Sequence, residues 1–226
     1  VVAQIAPAIP ATLMEEASVR EVLPMMQTMA GALRQIGFDA VFDTAFAADL
    51  TIWEEVSEFI HRVKSGGVLP MFTSCSPGWI RYVELHRPEL IPHLSTCKSP
   101  QQMAGALIKA FYPKKVNLQG KEIFSVSIMP CTAKKFEAED LGDVDAVLTT
   151  RELQDLLQRF GRSLKDGVPP APLDHPFAEA TGAGRIFGGT GGVLEAAIRT
   201  AHKMLTETDP QEGLRVSQAR GLDRLK

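Results

Sequence analysis

Leu69-Pro70-Met71-Phe72-Thr73-Ser74-Cys75-Ser76-Pro77-Gly78-Trp79 is an apolar run that ends in a cysteine, a serine and a Pro-Gly turn. β-compatible residues stopped by turn formers read as a buried strand, with Cys75 delivered at its carboxyl end. Open α/β sheets place their chemistry at that end of their strands. A second stretch, Glu122-Ile123-Phe124-Ser125-Val126-Ser127-Ile128-Met129-Pro130-Cys131, repeats the design and runs on into Thr132-Ala133-Lys134-Lys135-Phe136-Glu137. A lone cysteine in such a place is most often a small buried hydrophobe. Two strand ends that each carry one can instead face a common crevice, and on the residues alone both readings stay open.

The 226 residues, 45% hydrophobic with a formal charge of -3, are enough to bury a core and read as soluble and globular, with one domain of two lobes or two small domains. Mild acidity gives no footing for nucleic acid or for an anionic membrane. Three widely spaced cysteines are an odd count for a secreted disulfide framework and favour a reducing compartment. Charged or amide residues interrupt every apolar run before the roughly 18 residues needed to cross a bilayer. No basic flank precedes the apolar N-terminus, so neither a membrane span nor a secretory signal is expected. The opening Val1-Val2-Ala3-Gln4-Ile5-Ala6, strand-like and without an initiator Met, is what a trimmed or processed chain would show.

Residues 1–6 read as a strand and residues 7–12 as the loop at its end. Met25, Met26, Met29, Leu33 and Ile36, three and four apart, predict one buried helical face that stops near Gly37, with the methionines as core filler. Residues 39–43 form a short strand. A helix over 47–65 carries Trp53, Val56, Ile60 and Val63 on one face and stops at Gly66-Gly67. It sets Glu55 and Glu58 three apart, ordinarily a solvated pair, which gains meaning only if this helix packs beside Cys75. Tyr82, Val83, Leu85 and Leu90 predict a helix cut short at Pro88. Ser99-Pro100 starts another, with Met103, Ile108 and Phe111 as its apolar body and Cys97 before it as a structural thiol.

Residues 145–149 predict a further strand, and Thr150 a cap for a helix bearing Leu153, Leu156, Leu157 and Phe160. The proline-rich tract 167–176 reads as an extended surface connection, with His175 facing solvent. Gly182-Ala183-Gly184 and Gly188-Gly189-Thr190-Gly191-Gly192 lead into a helix with Val193, Leu194, Ala197, Ile198 and Leu205. The absence of a Gly-Lys-Ser/Thr ending argues against the phosphate-loop reading. Close approach of bare backbone to a bulky cofactor is the expectation instead.

Together these stretches resemble one family, the catalytic domain of the iron-only (FeFe) hydrogenases. Thr73-Ser74-Cys75-Ser76-Pro77-Gly78-Trp79 is similar to its first signature, and Met129-Pro130-Cys131-Thr132-Ala133-Lys134-Lys135-Phe136-Glu137 to its second. Ala47-Ala48-Asp49-Leu50-Thr51-Ile52, Cys97-Lys98-Ser99-Pro100-Gln101-Gln102, Leu148-Thr149-Thr150-Arg151-Glu152-Leu153 and Arg220-Gly221-Leu222 extend the likeness along the chain. The fold expected is α/β, with two lobes over residues 1–112 and 113–226, mostly parallel sheets flanked by helices, and an active-site crevice between the lobes.

The resemblance implies an H-cluster, a 4Fe-4S cubane joined through a cysteine to a di-iron subsite with carbon monoxide, cyanide and a bridging dithiolate amine. Such a centre interconverts dihydrogen with protons and electrons, which side chains alone cannot do. By motif position Cys131 is the metal ligand and Lys134 donates a hydrogen bond to a cyanide. Ala6, Pro7, Met129 and Pro130 pack against the subsite, while Ser99 and Gln101 line it and bond its cyanide or dithiolate. Cys75 matches the family's proton-transfer cysteine, and Glu55, Ser95 and Glu58 match the rest of a relay toward the surface. A relay needs groups that both accept and donate, for which buried carboxylates of raised pKa are suited.

Two departures qualify the likeness. Ser76 stands where the first signature commonly has a second cysteine, a cubane ligand, and a hydroxyl is a poor iron ligand beside thiolate. The third signature, with two more cubane cysteines, is not present in the sequence, and Cys75, Cys97 and Cys131 cannot supply four thiolates. The expectation is therefore an iron hydrogenase catalytic domain that is inactive as this chain alone. Its expected partners are a ferredoxin-like electron-transfer domain or subunit and a chain supplying the missing ligands. Its expected setting is the cytoplasm of an anaerobic bacterium, with the periplasm as an open alternative. A hydrogen sensor or iron-sulfur assembly relative is the second reading, and a plain α/β ligand-binding domain with structural cysteines the third.

Overall fold

The structure, a computed structural model, describes residues 1–15, 17–118, 122–177, 179–189 and 191–209. Thr190 and the Arg220-Gly221-Leu222 stretch lie outside the described residues. Four short strands, β1 (Val2–Ile5), β2 (Ala40–Asp43), β3 (Ser125–Ile128) and β4 (Ala146–Leu148), form one parallel sheet in the order β2-β1-β3-β4. Every residue of β1 and β3 is buried, as expected where both faces of a parallel sheet are covered. Ile5 pairs with Asp43 on one side and Ile128 on the other, and Ile128 pairs with Leu148, so the carboxyl ends finish along one rim. The chain leaves β1 for β2 and then crosses to β3 on the opposite side. The gap between β1 and β3 is thus the topological switch point, where open α/β sheets bind ligands.

Nine helices accompany the sheet among the described residues: α1 (Ala8–Leu13), α2 (Val22–Gln35), α3 (Thr44–Ser65), α4 (Pro77–His86), α5 (Pro100–Lys115), α6 (Ala133–Leu141), α7 (Thr150–Arg159), α8 (Gly182–Ile186) and α9 (Gly192–Thr206). Ala3, Ile5, Val41 and Ile128 share one core with Met25, Met29 and Leu33 of α2 and Leu153 and Leu157 of α7. Val2, Ala40 and Phe42 share a second with Ala104, Ile108 and Tyr112 of α5. Among the described residues no helix is long and apolar enough to cross a membrane.

The expected α/β class and parallel pairing are present, but β1 and β2 come from residues 1–112 and β3 and β4 from 113–226. Backbone pairing of β1 with β3 joins the two segments in a single layer, so residue 112 does not separate two sheets. The run from Leu69 is not a buried strand. Pro70 has no N–H to give a ladder, and Phe72 alone bridges, to Leu94, through Phe72 N–H to the His93 carbonyl and Ser95 N–H to the Phe72 carbonyl, both 2.8 Å. Val68 and Leu69 are 45% and 44% exposed. A loop, not a strand end, therefore delivers Cys75 into α4.

Residues 8–13 are helical rather than loop, because Ile9 and Leu13, four apart, both bury and Pro10 sits in the first turn, where a missing N–H is tolerated. On α3 the buried side is Ala48, Ile52, Glu55 and Val56, while Trp53 and Val63 point outward at 55% and 54% exposure. Phe111, Phe160, Tyr82, Leu85, Leu194 and Leu205 are likewise exposed. The proline-rich tract is extended but strapped down: Ala171 N–H bonds the Gln27 carbonyl, Asp174 N–H the Val41 carbonyl, and Arg34 pairs with the Asp174 carboxylate. His175 is exposed, as expected.

At Gly184 and Gly192 the missing side chain makes room for the protein's own backbone. A Cβ on Gly184 would lie 2.3 Å from the Ala45 carbonyl oxygen, and one on Gly192 only 1.7 Å from that of Ile186.

The cap of α7 is Thr149, not Thr150, which already occupies the first helical position. Thr149 Oγ1 accepts from Glu152 N–H, and the Glu152 carboxylate accepts from Thr149 N–H at 2.8 Å, a reciprocal capping box. The Lys135 ammonium and this N–H hold the Glu152 carboxyl down at about 2, against an ordinary 4.5. A depressed acid contributes stability that is complete above its unfolded pKa and lost as pH falls through the folded value. Glu152→Gln is therefore expected to lower the urea midpoint at neutral pH, with the difference from wild type closing as pH falls from 4.5 toward 2. Urea titrations across that range check it.

Candidate functional site at the carboxyl rim of the sheet

Ala6 and Pro7 leave the end of β1, and Met129, Pro130 and Cys131 leave the end of β3. Backbone bonds carry the pairing past the strands, Ala6 N–H to the Ile128 carbonyl at 3.0 Å and Met129 N–H to the Leu148 carbonyl at 2.9 Å. Ala6 and Met129 are buried, whereas Pro130 and Cys131 are exposed. Lys134, in the first turn of α6, bonds the Cys131 carbonyl through its backbone N–H at 3.2 Å. Its Nζ donates to the Cys75 carbonyl at 2.9 Å and to Glu137 Oε2 at 2.8 Å. One lysine thus ties the two cysteine-bearing loops to the same rim.

Behind Cys75 the chain places the paired glutamates of α3. Glu55, 2% exposed, accepts Ser74 N–H on Oε1 at 3.3 Å, while its Oε2 is buried without a hydrogen-bond partner among the described residues. Desolvation pushes its carboxyl up against the Ser74 bond, and the charge of Glu58 adds to the rise. The Ser95 hydroxyl bears on Glu55 as well, yet its single proton is committed to Glu58 Oε2 at 2.8 Å. That same oxygen accepts Thr96 N–H at 3.0 Å and Thr96 Oγ1 at 3.3 Å, with the Cys97 thiol at 3.8 Å. Arg62 takes the other oxygen, Nε at 3.0 Å and Nη2 at 2.5 Å.

Burial raises the Glu58 carboxyl, but the Ser95, Thr96 and Arg62 bonds outweigh it and hold it below the ordinary range. Two glutamates one turn apart are thus driven in opposite directions. Burial, reinforced by Glu55, pushes the Cys75 thiol up, with Lys134 opposing. Burial likewise lifts the Cys97 thiol to about 11.

Ser99 and Gln101 both have hydrogen-bond partners within the chain. Ser99 caps α5 by accepting Gln102 N–H at 3.4 Å. Gln101 Nε2 donates to the Lys134 carbonyl at 3.1 Å and to Glu137 Oε2 at 3.0 Å, and its Oε1 accepts Ser127 Oγ at 2.9 Å. A cyanide or dithiolate bonded by the Gln101 amide would have to displace one of these partners. The sequence reading passed over Glu137, Arg62 and Thr96. Lys134 to Glu137 and Glu58 to Arg62 are opposite charges three and four apart, a spacing that finds the first two. Nothing local marks Thr96.

No group of three or more His, Cys, Asp or Glu side chains among the described residues is arranged to hold a metal ion. A cubane takes four thiolates, and of the free cysteines Cys75, Cys97 and Cys131 only the last is exposed. The donor set fits one corner of such a cluster at Cys131 and does not fit the whole.

Fold and rim together define an α/β domain whose switch point is furnished with thiols, a lysine and a file of carboxylates in place of a nucleotide loop. The chain belongs to the family of iron-only hydrogenase large subunits, whose C-terminal domain matches residues 1–226. It is 47% identical over 208 residues to iron hydrogenase 1 of Clostridium pasteurianum, an alignment covering 86% of this chain and 35% of that protein. A solved FeFe-hydrogenase HydA1 from Chlamydomonas reinhardtii superposes with a TM-score of 0.81 at 41% identity, covering 98% of this chain and 57% of that one. A cytosolic Fe-S cluster assembly factor of Xenopus tropicalis is also similar, 38% identical over 196 residues, covering 79% of this chain and 41% of that protein. The chain therefore spans about a third to somewhat over half the length of the proteins it matches.

Proposed function

We propose that this chain is the proton-handling portion of an iron hydrogenase catalytic domain and that it contributes one corner of the metal site. The observation that carries this reading is the file of half-buried Cys75, buried Glu55 and Ser95 and half-buried Glu58, with neighbouring carboxylates driven apart in acidity. Cys75, its thiol pushed up, keeps a proton to hand on. Glu55, also pushed up, is the next carrier. When protonated at its unpartnered Oε2 it donates to Ser95 Oγ while the Ser95 proton moves to Glu58 Oε2. Glu58, kept ionised by Arg62 and close to solvent, is the exit. Ser95 and Glu58 already share a hydrogen bond at 2.8 Å, and every member of the file can accept and donate a proton, as general acid–base transfer requires.

In this reading Cys131 would hold the cubane, and Lys134, Ala6, Pro7, Met129 and Pro130 would face the di-iron subsite. The cluster, when bound, supplies the low-potential couple and the hydrogen-binding metal that no side chain offers. Further thiolates must come from outside these residues, and a ferredoxin-like domain or subunit would carry the electrons. Three free thiols suit a reducing, cytoplasmic setting.

The test is anaerobic reconstitution with ferrous iron and sulfide, of this chain and of the protein that contains it. Iron and acid-labile sulfide per chain are measured, with dihydrogen evolution from a reduced dye. A stable cluster with dihydrogen evolution in the longer protein, and neither in this chain alone, is the expected result. A stable cluster without dihydrogen evolution favours the second reading, an assembly or sensing relative, which the likeness to the assembly factor supports. No iron in either sinks both.

A further inference from the structure

We infer that Glu137, backed by Gln101, is the positioning residue that fixes the Lys134 ammonium against the Cys75 loop. The Lys134–Glu137 pair closes at 2.8 Å with side chains only 13% and 9% exposed. An exposed lysine and glutamate three apart would contribute a few tenths of a kcal/mol, and the lysine stem, with four rotatable carbons, would leave the charge free to wander. Here the carboxylate oxygen that binds Nζ also accepts Gln101 Nε2 at 3.0 Å. Gln101 is anchored in turn: its Oε1 takes Ser127 Oγ of β3 at 2.9 Å, and its carbonyl takes Gln4 Nε2 of β1 at 2.9 Å. Gln4 Oε1 then accepts Thr44 Oγ1 of α3 at 3.1 Å.

A buried hydrogen-bonded line thus runs from the sheet interior to the ammonium, whose other hydrogen bond among the described residues goes to the Cys75 carbonyl at 2.9 Å. Both Gln101 amide hydrogens are used, one on Glu137 and one on the Lys134 carbonyl, so the same amide fixes both ends of the lysine residue. Buried polar lines of this kind specify one arrangement when every member is satisfied. The inference takes its functional meaning from the proposed role of Lys134, but the placement itself belongs to the metal-free chain.

The experiment is residue-resolved acetylation of the folded chain by acetic anhydride, read by peptide mass. Lys98 and Lys109, paired with Asp143 and Asp145, serve as internal references. Glu137→Gln keeps the volume and an acceptor but removes the charge. It is expected to raise Lys134 modification at least about tenfold, the scale of one hydrogen bond to a charged group, with Lys98 and Lys109 unchanged. In 15N-labelled chain the Lys134 ammonium correlation should be visible in wild type, lost in Glu137→Gln and regained in Glu137→Asp, which restores the charge. Wild-type Lys134 reactivity in Glu137→Gln would overturn the assignment, as would an equal rise at all three lysines. Dihydrogen turnover plays no part in this readout, so the hydrogenase reading and the positioning of Lys134 can fail separately.

Discussion

Cys75→Ser in the cluster-loaded protein is expected to slow dihydrogen turnover by at least about a hundredfold, the scale of a lost general acid–base group, while iron and sulfide per chain stay unchanged. Partial burial and, less strongly, the charge of Glu55 push the thiol up, so at neutral pH it holds its proton yet remains a far stronger acid than a serine hydroxyl. Serine fits the space but gives up that proton reluctantly. The loop should keep its place, since Lys134 bonds the Cys75 backbone carbonyl and Ser74 N–H bonds Glu55, neither through the sulfur. Dye-linked evolution assays with metal analysis check it. Collapse of iron content would instead make Cys75 a ligand and remove it from the proton path.

The parts of the fold that were legible are those written in local periodicity. Met25, Met26, Met29 and Leu33 all bury along α2, and Gly37 follows with φ of +102°, a conformation glycine adopts at little cost. Strand order is not local: Val2 to Ile5 pair with residues 40–43 on one edge and 125–128 on the other, which no short window encodes. On α3 the bulk of Trp53 and Val63 outweighed Ala48 in the pattern. Yet small residues let helices approach closely, and the turn at Gly184 sits on the Ala45 carbonyl. The run before Cys75 failed because its composition is that of a strand while, among the described residues, it forms a single isolated bridge, Phe72 to Leu94.

At the site, motif position brought Cys75, Glu55, Ser95, Glu58 and Lys134 to notice, and the bonds of Ser74, Ser95 and Lys134 gather them. The condition set on the glutamates, that their helix lie beside Cys75, is met by Ser74 N–H on Glu55. Their opposite shifts were illegible, because spacing alone makes Glu55 and Glu58 equivalent. Burial separates them, together with Ser95 and Thr96, which arrive from 37 and 38 residues along the chain. The partners of Gln101 were illegible for a related reason: Ser127, Lys134 and Glu137 reach its amide from two other elements.

Glu58→Gln is expected to act twice, and the two effects can be separated. The introduced amide can still accept from Ser95 and Thr96 but cannot take up a proton, so turnover should fall by about a hundredfold or more. Arg62 loses its counter-charge at the same time. With the pair only 12% and 16% exposed, the guanidinium is left to the Val68, Pro92 and Leu94 carbonyls, and stability should fall by about 1.5–3 kcal/mol, the range for a hydrogen bond to a charged group. The wild-type carboxylate, held below its ordinary pKa, contributes stability that is complete above about pH 4.5 and lost as pH falls through the folded value. That acid-dependent part should vanish in the variant. Adding Arg62→Met removes the unpaired charge, since a buried pair exchanged for neutral side chains is often tolerated. The double variant should therefore recover most of the stability in urea titrations while turnover stays low. Recovery of turnover along with stability would show that Glu58 supports the loop at Leu94 through Arg62 and carries no proton.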